Sequence, residues 1–212
     1  TRRQRQMCIR DRSLMVQIGE IASKQKKKAY AVGGAVRDVF IGKELKEIDI
    51  MVIGDGIEFA KVVAKQMGVP KIVPFHRFST AHIPSRPIPI EIAAARKETY
   101  SKDSRKPNKV TYTNLEGDLL RRDFTVNAMA VDLLPDNFGI LYDPYNGLKD
   151  LLSKQLITPM DPDETFSDDP VRMMRAAYFS SKLNLKIDND CYESMSRLSL
   201  IHISEPTRLL AI

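Results

Sequence analysis

The sequence has no tryptophan and only two cysteines, Cys8 and Cys191. They lie far apart and without metal-ligand spacing, which excludes a disulfide scaffold and a zinc site and fits a reducing cytoplasm. Long apolar runs are also missing. Nothing approaches the roughly 18 residues of a membrane span, and the basic N-terminus lacks the apolar stretch and small-residue cleavage site of a secretory leader. No membrane partner is expected. Charge of one sign is scarcer than the total suggests. The net charge is +6, but residues 1–14 hold five arginines against one aspartate, and residues 199–212 balance Arg208 with Glu205. The interior 15–198 therefore carries only +2, so charge alone gives weak support for a nucleic-acid partner.

What is present is ordinary globular material, 43 % hydrophobic and 28 % charged over 212 residues. That is enough for one ample domain, or one domain and the start of another. Residues 1–14 and 199–212 do not continue the pattern of the interior and read as a foreign leader and tail. Between them, apolar spacing predicts a helix over 15–28 closed by Lys24, Lys26, Lys27 and Lys28, whose charge suits a helix C-terminus. A strand over 29–32, a Gly33–Gly34 turn, a helix over 35–41, a buried strand over 48–53 and an amphipathic helix over 57–68 follow. Short strands are predicted at 71–75, 79–83 and 87–93, the last at a sheet edge or bulge because of Pro87 and Pro89. The polar stretch 100–114 predicts a mobile loop. A helix over 117–129 and a strand over 130–134 come next, and beyond Asp143 the pattern turns helical, with a clear helix over 170–183 that starts on Pro170. Sheet elements mixed with helices and then a helical tail indicate an α+β head followed by an all-α region.

Three strings carry candidate chemistry. In AVGGAVRDVFIGKELKEIDIMVIGDG (31–56), a strand ends at Gly33–Gly34 and a helix follows directly, an arrangement that lets backbone approach a phosphate. A glycine pair alone is more often only a tight turn. The next strand raises the odds, because Glu47 and Asp49 are two apart and face the same way, while Ile48, Ile50 and Val52 form the opposite, core face. Two such carboxylates repel unless a cation lies between them, and Mg²⁺ sits readily between carboxylates and substrate phosphates. Glu91, in the apolar strand IPIEIA, is either an outward-facing edge residue or a third carboxylate of that site. In RRDFTVNAMA (121–130), Arg122 is a candidate phosphate clamp, and Asp123 and Asn127, four apart on a helix, can bond ribose hydroxyls. An internally paired surface helix would read the same way. In FSDDPVRMMRAAYF (166–179), Asp169 and Arg172 offer acceptor and donor groups together, as a base-reading edge does. A capping aspartate with a helix salt bridge is the plainer reading of that spacing.

Taken in order, Gly33-Gly34-Ala35-Val36-Arg37-Asp38, the acidic strand pair, RRDFTVNAMA and DDPVRMMRA resemble class II CCA-adding tRNA nucleotidyltransferases and bacterial poly(A) polymerases over about residues 16–190. The resemblance implies a polymerase-β-like nucleotidyltransferase head with a mixed sheet at 15–158 and the start of an all-α neck at 159–198. It implies metal-dependent addition of C and A from CTP and ATP to the tRNA 3′ end, with pyrophosphate released. Gly33, Gly34 and Arg37 would hold the triphosphate. Glu47 and Asp49 would bind Mg²⁺ in a two-metal site that Glu91 completes. Arg122 and Asp123 match the ribose-sensing motif, with Asn127 beside it, and Asp169 and Arg172 match the base-reading template. The stretch 100–114 stands where the family has a loop that helps switch from C to A addition. Glu47, Asp168 and Tyr178 stand where the family usually has Asp, Glu and Arg. Family members also continue through further helices that grip tRNA. Poly(A) synthesis on the same fold and a non-catalytic nucleotide- or RNA-binding module both remain open from the sequence.

Overall fold

In a computed structural model, the structure describes residues 2–101 and 104–204. Helix α1 spans Arg2–Lys24. It begins before the predicted start and ends at Lys24, the first of the lysine run. The end is set by Lys26, which takes a left-handed conformation (φ +53°). The N–H of Lys26 bonds the carbonyl of Ser23, and that of Lys27 reaches back to Ala22. This pair of bonds is a Schellman closure, built here on lysine rather than the usual glycine. The apolar stripe of α1, Ile18, Ile21 and Ala22, is fully buried, and Leu14 packs against the same core.

The chain then forms β1 (Ala29–Val32), α2 (Gly34–Phe40), β2 (Ile48–Val52) and α3 (Gly56–Gln66). Asp55 caps α3 by accepting from the N–H groups of Ile57 and Glu58. Strands β3 (Val73–Phe75), β4 (Thr80–Ile83) and β5 (Ile90–Ala94) follow. Later come β6 (Arg96–Ser101), β7 (Ser104–Tyr112), α4 (Leu115–Leu120), β8 (Ala130–Asp132) and β9 (Leu141–Tyr142). One sheet has the order β3-β4-β5-β2-β1-β8-β9. All its pairs are antiparallel except β2 with β5, so the sheet is mixed as expected.

Strand alternation sorts the two faces of this sheet. Ile48, Ile50, Ile90 and Ile92 point to the α1 and α3 side and join Ile18, Ile21, Ala60 and Val63 in the main core. Tyr30, Val32, Met51 and Ala130 point the other way, into a smaller cluster with Leu119. Asp49 sits between Ile48 and Ile50 and so belongs to this second side, away from the main core.

Three expectations are corrected. Strand β5 is not at an edge, since it lies between β4 and β2. Pro87 and Pro89 precede the strand, and Pro89 contributes only its carbonyl, which accepts from the N–H of Ile48, so no missing donor disrupts the ladder. The stretch 100–114 is not simply a loop. Strands β6 (Arg96–Ser101) and β7 (Ser104–Tyr112) pair antiparallel with a register shift between Thr99 and Ser101. Residues 102 and 103 lie outside the described residues. Finally, the helix expected over 117–129 stops at Leu120, and a short 3₁₀ turn covers Thr125–Asn127.

Helix α5 (Gly147–Leu152), strand β10 (Gln155–Leu156), helices α6 (Pro162–Asp168) and α7 (Val171–Leu183), strand β11 (Lys186–Ile187) and helix α8 (Asn189–Ser204) complete the described residues. The neck is thus not purely helical, because β10 and β11 form a short parallel pair. Leu156 and Leu185 are buried there, which places β11 beside β10 despite its two-residue length. Among the described residues, no helix is long and apolar enough to cross a membrane. The tail at 205–212 lies outside the described residues.

Candidate active site

A cleft of about 1010 Å³ opens between the second side of the sheet, the segment after α4 and the start of α7. All the residues singled out from the sequence line it: Gly33, Gly34, Arg37, Glu47, Asp49, Glu91, Arg122, Asp123, Asn127, Asp169 and Arg172. Asp168 ends α6 and does not. Tyr178, Arg175 and Lys182 join the lining from α7.

The acidic group is built by sheet pairing. In the parallel β2–β5 ladder Asp49 lies directly beside Glu91, so both carboxylates face the cleft. Glu47, just before β2, is exposed at its edge, whereas Asp49 is half-buried. Burial pushes the Asp49 carboxyl up to about 6, and the negative charges of Glu47 and Glu91 push in the same direction, against the pull of Arg122 and Arg37. An excess of negative charge in a partly desolvated pocket is the electrostatic condition that a divalent cation relieves. Among the described residues, no three His, Cys, Asp or Glu side chains converge closely enough to enclose an ion by themselves. Any Mg²⁺ held here by one or two of these carboxylates would need water and substrate phosphates to complete its shell.

Gly33 adopts φ +65°, and its N–H donates to the carbonyl of Met129. Its carbonyl accepts the first helical bond, from Arg37. A Cβ built on Gly33 would meet Nη1 of Arg122 at 2.9 Å and Oδ2 of Asp49 at 3.5 Å. The glycine is therefore required twice, by conformation and by contact. Its bend also places the acidic strand and an arginine on either side of one small space.

Arg122 is aimed by a residue the sequence reading did not single out. Asp118 is 1 % exposed and binds both neighbouring arginines. Its Oδ2 accepts from Nε and Nη2 of Arg122 at 3.3 and 2.9 Å, and its Oδ1 accepts from Arg121 Nη2 at 2.7 Å. Burial opposes ionisation of Asp118, but Arg122 and Arg121 outweigh it, so its carboxyl lies below the usual carboxylate range. With Nε and Nη2 committed to Asp118, Nη1 of Arg122 faces Gly33 and also donates to the carbonyl of Asn127 at 3.5 Å.

Arg37 is buried and lines the cleft. It pairs with Asp38 at 2.8 Å and donates through Nη1 to Oδ1 of Asn127. Asn127 in turn donates to Oδ1 of Asp123 at 3.0 Å. These two residues meet as expected, although through a turn rather than along a helix. Asp123 also binds Arg175, at 2.6 Å. Arg175 went unnoticed because it reads as one more polar position on an amphipathic helix, and its partner lies 52 residues away.

Asp169 and Arg172 both reach the cleft but do not pair. Asp169 Oδ1 accepts from the N–H of Val171, which is the capping role of the plainer reading. The guanidinium of Arg172 is buried and donates to the carbonyls of Thr165 and Arg121, at 3.3 and 2.9 Å. Those two bonds fix the plane of its fork. The exposed ring of Tyr178 stands on the same helix, with the ammonium of Lys182 5.0 Å from its centroid.

Residues 29–157 match the family model described as the poly A polymerase head domain. The chain is 44 % identical over 160 residues to the A-adding tRNA nucleotidyltransferase of Aquifex aeolicus, covering 76 % of this chain and 19 % of that protein. It is 33 % identical over 186 residues to the CCA-adding enzyme of Lactobacillus helveticus, covering 84 % and 44 %. A solved tRNA nucleotidyltransferase complexed with a primer tRNA and an incoming ATP analogue superposes with a TM-score of 0.76 at 36 % identity, over 89 % of this chain and 52 % of that one. The chain thus spans less than half the length of these two sequence relatives.

Proposed function

The chain belongs to the poly A polymerase head-domain family, and from that premise we propose that it is the head and neck start of a tRNA nucleotidyltransferase. It adds C and A residues from CTP and ATP to the 3′ end of tRNA and releases pyrophosphate. The observation that carries this reading is the Asp49–Glu91 pair set against the Gly33 bend, with Arg122 on the other side of the bend. Relatives named A-adding and CCA-adding tRNA nucleotidyltransferases support the substrate class.

The triphosphate lies over Gly33–Gly34. Arg122 Nη1 meets its oxygens, held to that direction by Asp118. The ribose lies against the Asp123–Asn127 side of the cleft, whose polar groups already bond each other, Arg37 and Arg175, and the base faces Asp169 and Arg172 on the α7 side. The RNA 3′-hydroxyl attacks the α-phosphorus, the bond to the β-phosphate oxygen breaks, and pyrophosphate leaves. Asp49 and Glu47 would hold Mg²⁺, with Glu91 completing a two-metal site, and the metal would supply a lowered pKa for the attacking hydroxyl and neutralise charge on the leaving group. The protein's remaining share is positioning and electrostatics.

The test uses tRNA transcripts that lack the 3′ CCA or end in CC, each with CTP or ATP and Mg²⁺, resolved on sequencing gels. CTP extension of the first transcript followed by ATP extension is expected. Addition of a single A to the CC-ending transcript only would mark an A-adding enzyme, a second reading that the 44 % identical Aquifex relative favours. Runs of A on unrelated RNAs would mark a poly(A) polymerase. Nucleotide binding without incorporation would leave only a binding module.

Gly33→Ala is expected to weaken CTP and ATP binding by about tenfold or more, because the new methyl displaces Arg122 Nη1 from the bend and the backbone there is left-handed. Equilibrium binding of CTP reads this directly, and affinity equal to wild type would rule out the bend as the triphosphate seat.

A further inference from the structure

Asp123 has no vacant acceptor. A carboxylate offers about four lone-pair sites, and here all are filled from within the protein. Its Oδ1 accepts from the Phe124 N–H at 2.9 Å and from Asn127 Nδ2 at 3.0 Å. Its Oδ2 accepts from Arg175 Nε at 2.7 Å and Nη2 at 2.6 Å. By giving its amide N–H to Asp123, Asn127 turns its Oδ1 toward Arg37. Arg37 then lies over the Phe179 ring, 5.2 Å from guanidinium carbon to centroid, and Arg175 lies over the same ring at 5.0 Å. The series of contacts Arg175–Asp123–Asn127–Arg37 therefore closes on itself through Phe179. Its members come from α2 beside the glycine bend, from the turn after α4, and from α7.

From this closed loop we infer that Arg175 is a positioning residue for the triphosphate seat. Held by Asp123, it fixes Asn127 and through Asn127 the plane of Arg37 on α2. The inference rests on the nucleotidyl-transfer reading above. An arginine that is 49 % exposed usually contributes little by pairing. The partner changes that expectation, because the Asp123 side chain is 8 % exposed and loses two charge-assisted bonds if Arg175 goes. The two-pronged, planar contact also needs arginine rather than any cation.

Three roles separate by measurement. A mere tether between head and neck would change thermal stability and leave nucleotide affinity alone. A base-contacting role would change the preference between CTP and ATP. Positioning of the shared triphosphate seat weakens both nucleotides by the same factor and falls on KM rather than kcat. Arg175→Gln and Arg175→Lys are compared with wild type by equilibrium binding of CTP and ATP and by steady-state kinetics. Arg175→Gln should weaken both nucleotides on the order of tenfold, and Arg175→Lys should recover part of the loss by keeping the charge and one donor. Phe179→Leu, which keeps Arg175 and removes the shared ring, should give a smaller loss of the same kind. If wild type binds both nucleotides and Arg175→Gln binds them equally well, or if the CTP-to-ATP ratio shifts, the inference is overturned while the functional reading stands. If wild type binds neither nucleotide, the functional reading itself falls and this inference with it.

Discussion

Asp49→Asn is expected to reduce nucleotide transfer by about 10³-fold or more and, at neutral pH, to raise the melting temperature. The activity loss follows from removing the central carboxylate of the acidic group, where several kcal/mol of transition-state charge stabilisation reside. The stability gain follows from linkage. The Asp49 carboxyl is raised to about 6 in the folded protein, first by burial and then by Glu47 and Glu91, against roughly 3.9 when unfolded. The folded state therefore holds the proton more tightly. Its contribution to stability is fully present below about pH 4 and is lost as pH rises through 6. At pH 7.5 the ionised, crowded carboxylate costs on the order of 2–3 kcal/mol, and the neutral isostere relieves it. For a protein of this size that corresponds to a rise of roughly 5 °C or more. Melting curves of wild type and variant between pH 4 and 8 check the sign, since the curves should separate above pH 5. A cation at this site opposes the same repulsion, so millimolar Mg²⁺ should raise the wild-type melting temperature at pH 7.5 and leave the variant unchanged. Wild-type turnover by Asp49→Asn would sink the catalytic assignment, and equal melting curves across that range would sink the electrostatic one.

Local signals in the sequence reached the elements that frame this site. The strands at Ala29–Val32 and Ile48–Val52 emerged within one residue of their observed ends, because short apolar runs, the second broken only by Asp49, bounded by charged and glycine residues have few other uses. The bend at Gly33 was legible because a glycine pair directly between a strand and a helix marks a close backbone approach, to which the structure adds the positive φ and the contact with Arg122. The lateral pairing of Asp49 with Glu91 was not legible, since it exists only through a parallel ladder between strands that are distant in sequence. Nor was the interior place of β5, because prolines argue for an edge only when they fall inside the strand, and here they fall before it. The antiparallel β6–β7 pair hid behind lysine, serine and asparagine, which read as loop when no strict apolar alternation accompanies them. Asp118, Arg175 and Phe179 escaped for one reason in common. Each works through partners brought together by the turn after α4 or by the start of the neck, and neither junction has a periodicity to read.

Asp118→Ala should be the most destabilising single change near the cleft, by about 3–5 kcal/mol. The carboxylate is 1 % exposed and bridges Arg121 and Arg122, whose side chains are 23 % and 21 % exposed. It also accepts from the backbone N–H of Arg96. Truncation leaves two adjacent guanidiniums facing each other in a poorly solvated pocket, and the charge repulsion adds to the lost bonds. A fall of roughly 10 °C in melting temperature is expected, and a fall under about 2 °C would show that their other partners, the Arg96 carbonyl for Arg121 and the Asn127 carbonyl for Arg122, suffice to hold the arginines. The pH dependence runs opposite to that of Asp49. Burial raises the Asp118 carboxyl, but Arg122 and Arg121 more than reverse this and hold it below its ordinary value. Its stabilisation is thus present above the unfolded value near 3.9 and is lost only as pH falls through the lower folded value. Asp118→Asn separates fold from function. The amide keeps the shape and some of the hydrogen bonding, so the protein should still fold. Arg122 loses the counter-charge that aims Nη1 at Gly33, and CTP affinity should drop with the cleft otherwise intact.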